Sequence, residues 1–428
     1  MIKIINSECL EYLKTLPDNS IDSIITDPPY GLSFMNKKWD YDIPKIEVWK
    51  ECLRVAKPGC IILCFGGSRT FHRIAISIED AGWEIRDTIM WLYGSGFPKS
   101  YDISKGIDKK LGAERERVGG CDSGGFANVM KNNEEQGYRP DNYYEDGNNH
   151  ISNDAITEEA KLWNGWKTAL KPAFEPIIVA MKPVEESFAN NALMHGVAGL
   201  NIAECGIPTM QSENLGRDNS KCDKDEFLKG KKRIDQSKPN GTDRYPANII
   251  LDEEAAQMLD EQTGILNSGK SNGGAIIGES SNGVIKEMRR GKLISRNDHG
   301  GASRFFYCAK ASKSERNNGL ENEETKETHR YGAGIGATHE KPCIEKNNHP
   351  TVKPLALMEY LCKLTKTPTG GIVLDPFMGS GTTMIACVNA GRDGLGIELN
   401  AEYVNIAEKR IQEAERLISE KQKQTSLF

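Results

Sequence analysis

The sequence has no long apolar run. No stretch approaches the ~20 residues needed to span a bilayer. The opening Met1-Ile2-Lys3-Ile4-Ile5-Asn6 is too short, and polar too soon, for a signal peptide. The chain has 11 cysteines but no Cys-x-x-Cys pair and no Cys/His cluster. That spacing speaks against a structural zinc site and offers no disulfide framework, so no metal is expected. Cys60 and Cys64 lie in an apolar run, where free cysteine behaves as a small hydrophobe. Positive charge is not in excess either: the formal net charge is −6 and the pI is near 5.8. Total charge is a weak test for nucleic-acid binding, because phosphate contacts depend on local clusters. These absences predict a cytoplasmic protein with reduced thiols and no membrane partner. With 428 residues, 38% of them hydrophobic, the chain suits two or three folded units.

Two well-patterned ends flank a polar middle. Ile21 to Thr26 reads as a short buried strand stopped by Pro28-Pro29. Ile46 to Val55 reads as a helix, Cys60 to Phe65 as a strand, and Ser68 to Asp80 as a second helix. Ile85 to Tyr93 and Pro176 to Ala180 read as further strands. Near the other end, Leu357, Leu361 and Leu364 share a helix face, Gly371 to Leu374 is a buried strand, and Thr382 to Ala390 is a helix. Leu395 to Glu398 is the next strand, and a charged amphipathic helix runs from Glu402 to about Lys421. Strands alternating with helices predict an α/β fold with a mostly parallel, doubly wound sheet. Residues 112–160 and 210–345 are rich in Gly, Asn, Ser and charge, with apolar islands at Tyr245–Leu251 and Arg304–Cys308. Asn267–Gly283 and Ser314–Gly336 read as mobile loops. The Gly332-x-Gly334-x-Gly336 run follows no predicted strand and is read as loop, not as a phosphate site.

Two local patterns carry chemistry. Asp375-Pro376-Phe377-Met378-Gly379-Ser380-Gly381-Thr382-Thr383 follows a strand and opens a helix. Gly379 and Gly381 let the backbone turn tightly and approach a ligand. Backbone N–H groups and the hydroxyls of Ser380, Thr382 and Thr383 are expected to face it, at a helix N-terminus that favours a carboxylate. Glu398 ends the next strand, where an acid can accept two ribose hydroxyls. Together these describe a nucleoside site without the usual pyrophosphate fingerprint. The second pattern is Thr26-Asp27-Pro28-Pro29-Tyr30-Gly31. Consecutive prolines stiffen the turn. The stiff turn holds the Asp27 carboxylate and the Pro28 carbonyl as fixed acceptors beside the Tyr30 ring. That arrangement suits an exocyclic amine on a flat base.

With these motifs in view, the chain resembles the beta-class amino-methyltransferases of DNA. In that class the acceptor motif comes first, a target-recognition region follows, and the cofactor loop comes near the C-terminus. The same order runs here from Asp27-Pro28-Pro29-Tyr30 through the polar middle and His349-Pro350-Thr351-Val352-Lys353-Pro354 to the Asp375 loop. Trp166 to Pro176 and Arg244 to Asn248 look like the phage- and prophage-type members. The resemblance implies a Rossmann-like S-adenosyl-L-methionine-dependent methyltransferase sheet with a large inserted target-recognition region. It divides the chain into a first catalytic part, 1–205, with a loop insertion about 112–160. A target-recognition region, 206–345, and a cofactor-binding part, 346–428, follow. It implies that Asp375, Phe377, Gly379, Ser380, Gly381, Thr382 and Glu398 hold S-adenosyl-L-methionine, with Thr351 and Lys353 nearby. Glu8 stands where the family often has Asp, in contact with the cofactor's adenine.

The implied reaction is direct methyl transfer to the amine of a base flipped out of double-stranded DNA. Asp27 and Pro28 accept the amine protons, Pro29 stiffens the turn and Tyr30 stacks on the base. Asp at the first motif position leans toward adenine; the amine of cytosine presents the same geometry and is the alternative. A non-catalytic cofactor- or DNA-binding subunit is a further alternative, and the intact acceptor turn argues against it. Pro342-Cys343 is the one place for a ring-carbon cytosine nucleophile, but its segment is polar and the motif order is wrong. Lys229, Lys231, Lys232 and Arg233 form one basic cluster, and Arg289, Arg290, Lys292 and Arg296 another. In a DNA enzyme these read as phosphate contacts. The resemblance leaves room for a homodimer and for a cognate restriction endonuclease as partners.

Overall fold

The apolar runs become strands, and their neighbours decide how each polar residue inside them is satisfied. The structure is a computed structural model. It describes residues 1–32, 41–96, 100–119, 149–152, 154–208, 244–267, 270–271, 294–295, 299–309, 315, 317–321, 326–329, 342–347, 349 and 352–425. Nine strands form one sheet: β1 (Ile2–Asn6), β2 (Ile21–Thr26), β3 (Ala56–Phe65), β4 (Glu84–Leu92), β5 (Phe174–Met181), β6 (Ile249–Asp252), β7 (Tyr307–Ala309), β8 (Ile372–Asp375) and β9 (Asp393–Glu398). Their order is β1-β9-β8-β2-β3-β5-β4-β6-β7. Every neighbouring pair is parallel except the two made by β5, which runs against both β3 and β4. The sheet is therefore mostly parallel, as the pattern predicts, with one reversed strand inside it.

β2 is buried along its whole length. Its two awkward residues both find partners. Asp22 Oδ1 lies 2.7 Å from Lys57 Nζ, and Asp22 Oδ2 accepts from the Ile372 N–H at 2.8 Å. Ser23 Oγ accepts from the Arg392 guanidinium at 2.8 Å. A central strand can carry such groups only when they are paired this way.

Alternate residues of the strands feed two cores. Ile61, Leu63, Phe65, Ile177 and Val179 pack with helices α8 (Leu355–Leu364) and α9 (Thr382–Ala390) on one face. Cys60, Ile62, Cys64, Ile178 and Ala180 pack on the other with α2 (Ile46–Val55) and α3 (Phe71–Asp80). Helix α2 buries Val48, Trp49, Cys52 and Val55, one stripe of a 3.6-residue period. Cys60 and Cys64 are free, buried thiols, as their apolar setting predicts. The strand around them begins at Ala56 rather than Cys60. Ala56 pairs with Ile21, so β3 starts directly after α2 and runs through Pro58-Gly59. The islands at Tyr245–Leu251 and Arg304–Cys308 supply β6 and β7, which extend one edge of the sheet. Short helix α1 (Cys9–Leu13) follows β1, α6 (Phe188–His195) follows β5, and α7 (Glu253–Thr263) follows β6. The last helix, α10, spans Ala401–Thr425.

The sheet belongs to a unit made of Met1–Ser95, Ala173–His329 and Lys341–Phe428. A second unit comprises Gly96–Pro172 and Arg330–Glu340. Within it, α4 (Ile103–Lys110) and α5 (Glu158–Leu162) are tied together by buried Asp108. That carboxylate accepts from Arg115 Nε at 2.6 Å, Thr157 Oγ1 at 2.7 Å and the Thr157 N–H at 3.0 Å. No described helix is long and apolar enough to cross a membrane.

Candidate active site

Four parallel strands end at the same edge of the sheet. Asn6 of β1 pairs with Glu398 of β9, Asp375 of β8 pairs with Gly396, and Leu374 pairs with Ile24 of β2. Both sequence motifs therefore leave adjacent strands at one edge, where open α/β sheets place their ligands. A hydrogen bond joins the motifs: Thr26 Oγ1 donates to Asp375 Oδ1 at 2.7 Å. Because β5 runs the other way, its first residues, Phe174 and Glu175, arrive at this same edge.

The acceptor turn is held by a charged cluster. The Tyr30 hydroxyl donates to Asp27 Oδ1 at 2.6 Å, and Lys353 Nζ sits 2.7 Å from Asp27 Oδ2. The same ammonium lies 3.3 Å from Glu175 Oε2 and 3.2 Å from the Tyr30 hydroxyl oxygen. It also stands 4.9 Å from the Phe65 ring centroid and 5.5 Å from that of Tyr30. Lys353 is buried. Burial disfavours its charge, but the Asp27 and Glu175 carboxylates win and hold its pKa above the usual lysine value. Burial, then the neighbouring Asp27 and Glu175, push the Tyr30 phenol well up, so it remains a proton donor. Tyr93 lines the same cluster; burial and Glu175 raise its pKa, while Lys353 opposes them. Pro28 is buried and Pro29 half-buried, which fits a stiff turn. Gly31 completes the turn at φ +67°.

The Asp375 loop is built around its own carboxylate. Asp375 Oδ2 accepts from Thr383 Oγ1 at 2.6 Å, and Oδ1 accepts from the Phe377 N–H at 3.1 Å. Burial pushes its pKa up to about 6 despite these bonds. Gly379 and Gly381 adopt φ +56° and +85°, a region that glycine enters without strain. A Cβ on Gly379 would stand 2.7 Å from His349 Nε2, and one on Gly381 would stand 2.8 Å from Ala407 Cβ. The close approach is therefore to the protein's own side chains. Glu398 receives the Gly379 N–H on Oε2 at 2.9 Å and the Asn400 N–H on Oε1 at 2.7 Å. Burial raises its pKa against those bonds. Phe377 is half-buried, 6.3 Å from Trp49 edge to face. Glu8 lies two residues past the end of β1 and caps α1, accepting from the Glu11 N–H at 2.8 Å.

The hydroxyls expected to face a ligand turn inward instead. Thr383 donates to Asp375, Ser380 Oγ receives Asn347 Nδ2 at 3.3 Å and Arg410 Nη1 at 3.1 Å, and Thr382 Oγ1 receives Arg410 at 3.3 Å. Arg410 also donates to the Ser380 carbonyl at 2.6 Å. The N-terminus of α9 has no side-chain cap. Backbone dipole and N–H groups are what it offers to an anion.

The edge thus gathers Asp27, Pro28, Pro29, Tyr30, Lys353, Asp375, Phe377, Gly379, Ser380, Gly381, Thr382, Glu398 and, beside Glu398, Glu8. Thr351 lies outside the described residues, as do Lys229, Lys231, Lys232, Arg233, Arg289, Arg290, Lys292 and Arg296. Sequence reasoning did not single out Glu175, Asn347 or Arg410. Glu175 carried a faint signal, an acid directly before a buried apolar strand. Arg410 carried none, because it looks like any basic residue on a charged helix.

A family model described as DNA methylase, of the N6/N4 type, matches residues 21–409. The type II methyltransferase M.HpaI of Haemophilus parainfluenzae is 48% identical over 63 residues, which are 15% of this chain and 20% of that protein. The DNA adenine methyltransferase YhdJ of Escherichia coli (strain K12) is 42% identical over 76 residues, 18% of this chain and 26% of that protein. The matched stretches thus span about a quarter or less of these curated relatives. Among solved structures, the cytosine-N4-specific PvuII DNA methyltransferase aligns over 96% of this chain and 86% of its own, with 12% identity and a TM-score of 0.41.

Proposed function

The chain belongs to the N6/N4 DNA methylase family, and from that premise we propose that it is a site-specific DNA methyltransferase acting on the exocyclic amine of adenine. The observation that carries this reading is the bond between the two motifs, from Thr26 to Asp375 at 2.7 Å. It ties the strand that presents Asp27 to the strand that opens the cofactor loop. The acceptor and the methyl donor would then meet at one sheet edge.

S-adenosyl-L-methionine, when bound, supplies an electrophilic methyl group on a sulfonium. The residues at the edge suit it. The uncapped start of α9 favours a carboxylate. Glu398, fixed by two backbone N–H groups, keeps lone pairs for ribose hydroxyls. The mobile part of the reaction is the base, which leaves the duplex to reach Asp27. A base amine is a poor nucleophile because its lone pair is delocalised into the ring. Accepting its N–H at Asp27 localises that lone pair toward the methyl group. Tyr30, itself anchored on Asp27, offers the stacking face. Alignment and preorganised charge then do the catalytic work. The basic clusters at Lys229–Arg233 and Arg289–Arg290 serve as phosphate contacts within a target-recognition region.

Adenine is favoured over cytosine by the resemblance, in which Asp at the position of Asp27 leans toward adenine, and by the adenine-specific name of the relative YhdJ. The test is incubation of the protein with labelled S-adenosyl-L-methionine and unmodified duplex DNA. Digestion to nucleosides and separation by mass should give N6-methyladenine. Label only on cytosine would overturn the choice of base, and no transfer to DNA would overturn the reading itself.

A further inference from the structure

Asp27 is paired with a buried cation, and a second acid stands beside that pair. Methyl transfer builds positive charge on the amine nitrogen. The nitrogen lone pair forms the new N–C bond, the C–S bond breaks with its electrons passing to sulfur, and the nitrogen carries an extra proton until it is lost. Yet a buried ammonium, Lys353, sits 2.7 Å from the very carboxylate that must stabilise this cation. An ion pair alone would leave the pocket neutral and Asp27 a weak acceptor. Glu175 changes the balance. Its Oε2 lies 3.3 Å from Lys353 Nζ and 3.4 Å from the Tyr30 hydroxyl. Two carboxylates share one ammonium, which leaves one surplus negative charge.

Resting on the amino-methyltransferase reading, we propose that Glu175 is a positioning residue that shares Lys353 with Asp27 and keeps the acceptor pocket net negative. Lys353 in turn lets two carboxylates share one site without mutual repulsion. The fold provides for this arrangement. The reversed direction of β5 is what brings Glu175 to the edge where the parallel strands end. The side chains of Lys353 and Glu175 are 10% and 24% exposed, so solvent screens the pair only in part. The proton released by the methylated amine passes to Asp27 and from there to water, so the cluster returns to its starting charge.

The test uses the full chain and three variants. Glu175→Gln keeps the size and a carbonyl acceptor but removes the charge. Turnover should fall by about 10²-fold, the scale of losing a preorganised electrostatic group, with KM for DNA little changed. A second readout needs no turnover: calorimetric affinities for S-adenosyl-L-methionine and for its product, S-adenosylhomocysteine, which has no charge at sulfur. Glu175→Gln should lower the preference for the sulfonium roughly fivefold, as expected for removing one charge from a partly screened pocket. Its product affinity should stay the same. Glu175→Asp should restore part of both effects. Adding Lys353→Met to Glu175→Gln should recover activity over the single variant, because Asp27 alone again leaves one negative charge. An unchanged sulfonium preference in Glu175→Gln, or a double variant worse than the single, would overturn the proposal. If the wild-type protein transfers no methyl group to DNA, the functional reading fails, while the two affinities still judge the charge role of Glu175.

Discussion

Replacing Asp375 by Asn tests whether this carboxylate is a buried cost borne for the sake of the loop. The residue is 2% exposed, and its carboxylate accepts three hydrogen bonds, from Thr26, Thr383 and the Phe377 N–H. Burial nevertheless pushes its pKa from 3.8 up to about 6. The sign follows from linkage: the folded state holds the proton more tightly, so stability from this group is lost as pH rises through the window from 3.8 to about 6. The shift of roughly two units corresponds to about 3 kcal/mol when the group is fully ionised. About half of that, ~1.4 kcal/mol, is lost between pH ~5 and pH ~7.5. Asn has the same shape. Its oxygen can accept from Thr26 and Phe377, and its amide can donate to Thr383. Urea unfolding of wild type and Asp375→Asn at both pH values should show the variant gaining ~1.4 kcal/mol relative to wild type as pH rises. Glu398, whose pKa is also raised, is common to both proteins and cancels in the difference. A difference that stays flat with pH would refute the argument, because it would mean that Asp375 is solvated or permanently ionised in the folded protein.

Asp27→Ala should cut methyl transfer by at least ~10²-fold, while affinity for S-adenosylhomocysteine stays within a few-fold; a folded variant with near-normal turnover would remove Asp27 from the mechanism. Gly379→Val and Glu398→Ala should both weaken cofactor binding. The first puts a Cβ within 2.7 Å of His349 at a positive φ, and the second frees the Gly379 and Asn400 N–H groups that shape the loop. Calorimetry that finds wild-type affinity in both variants would place the cofactor elsewhere.

Much of this site was legible because its signals are local. A buried apolar run followed by two prolines, or by glycines and a helix, says where a strand ends and what conformation follows. Those rules found β2 with Asp27, and β8 with the glycine loop, without any knowledge of the sheet. They could not find β6 and β7 as members of it. These strands have four and three residues, too few for a period to emerge from a polar background. Nor could they say which way the threonine and serine hydroxyls of the loop point. That depends on Arg410, which arrives from α10 and occupies Ser380 and Thr382 from behind.

The least legible feature is the direction of β5, and it has the largest chemical effect. An apolar strand reads the same from either end, so Pro176–Ala180 was recognisable as a strand but not as a reversed one. Had it run parallel to β3, its other end, Met181, would meet the edge that carries Asp27 and Glu175 would lie at the far side of the sheet. Lys353 would then face Asp27 alone. Adjacency works in the same nonlocal way for the two motifs. Thr26 and Asp375 are 349 positions apart, yet β2 and β8 are neighbours in the sheet. The site therefore depends on which strands end side by side, and it does not depend on which motif the chain presents first. Motif order identified the resemblance, while strand order and strand direction determine the charge that the base amine would meet.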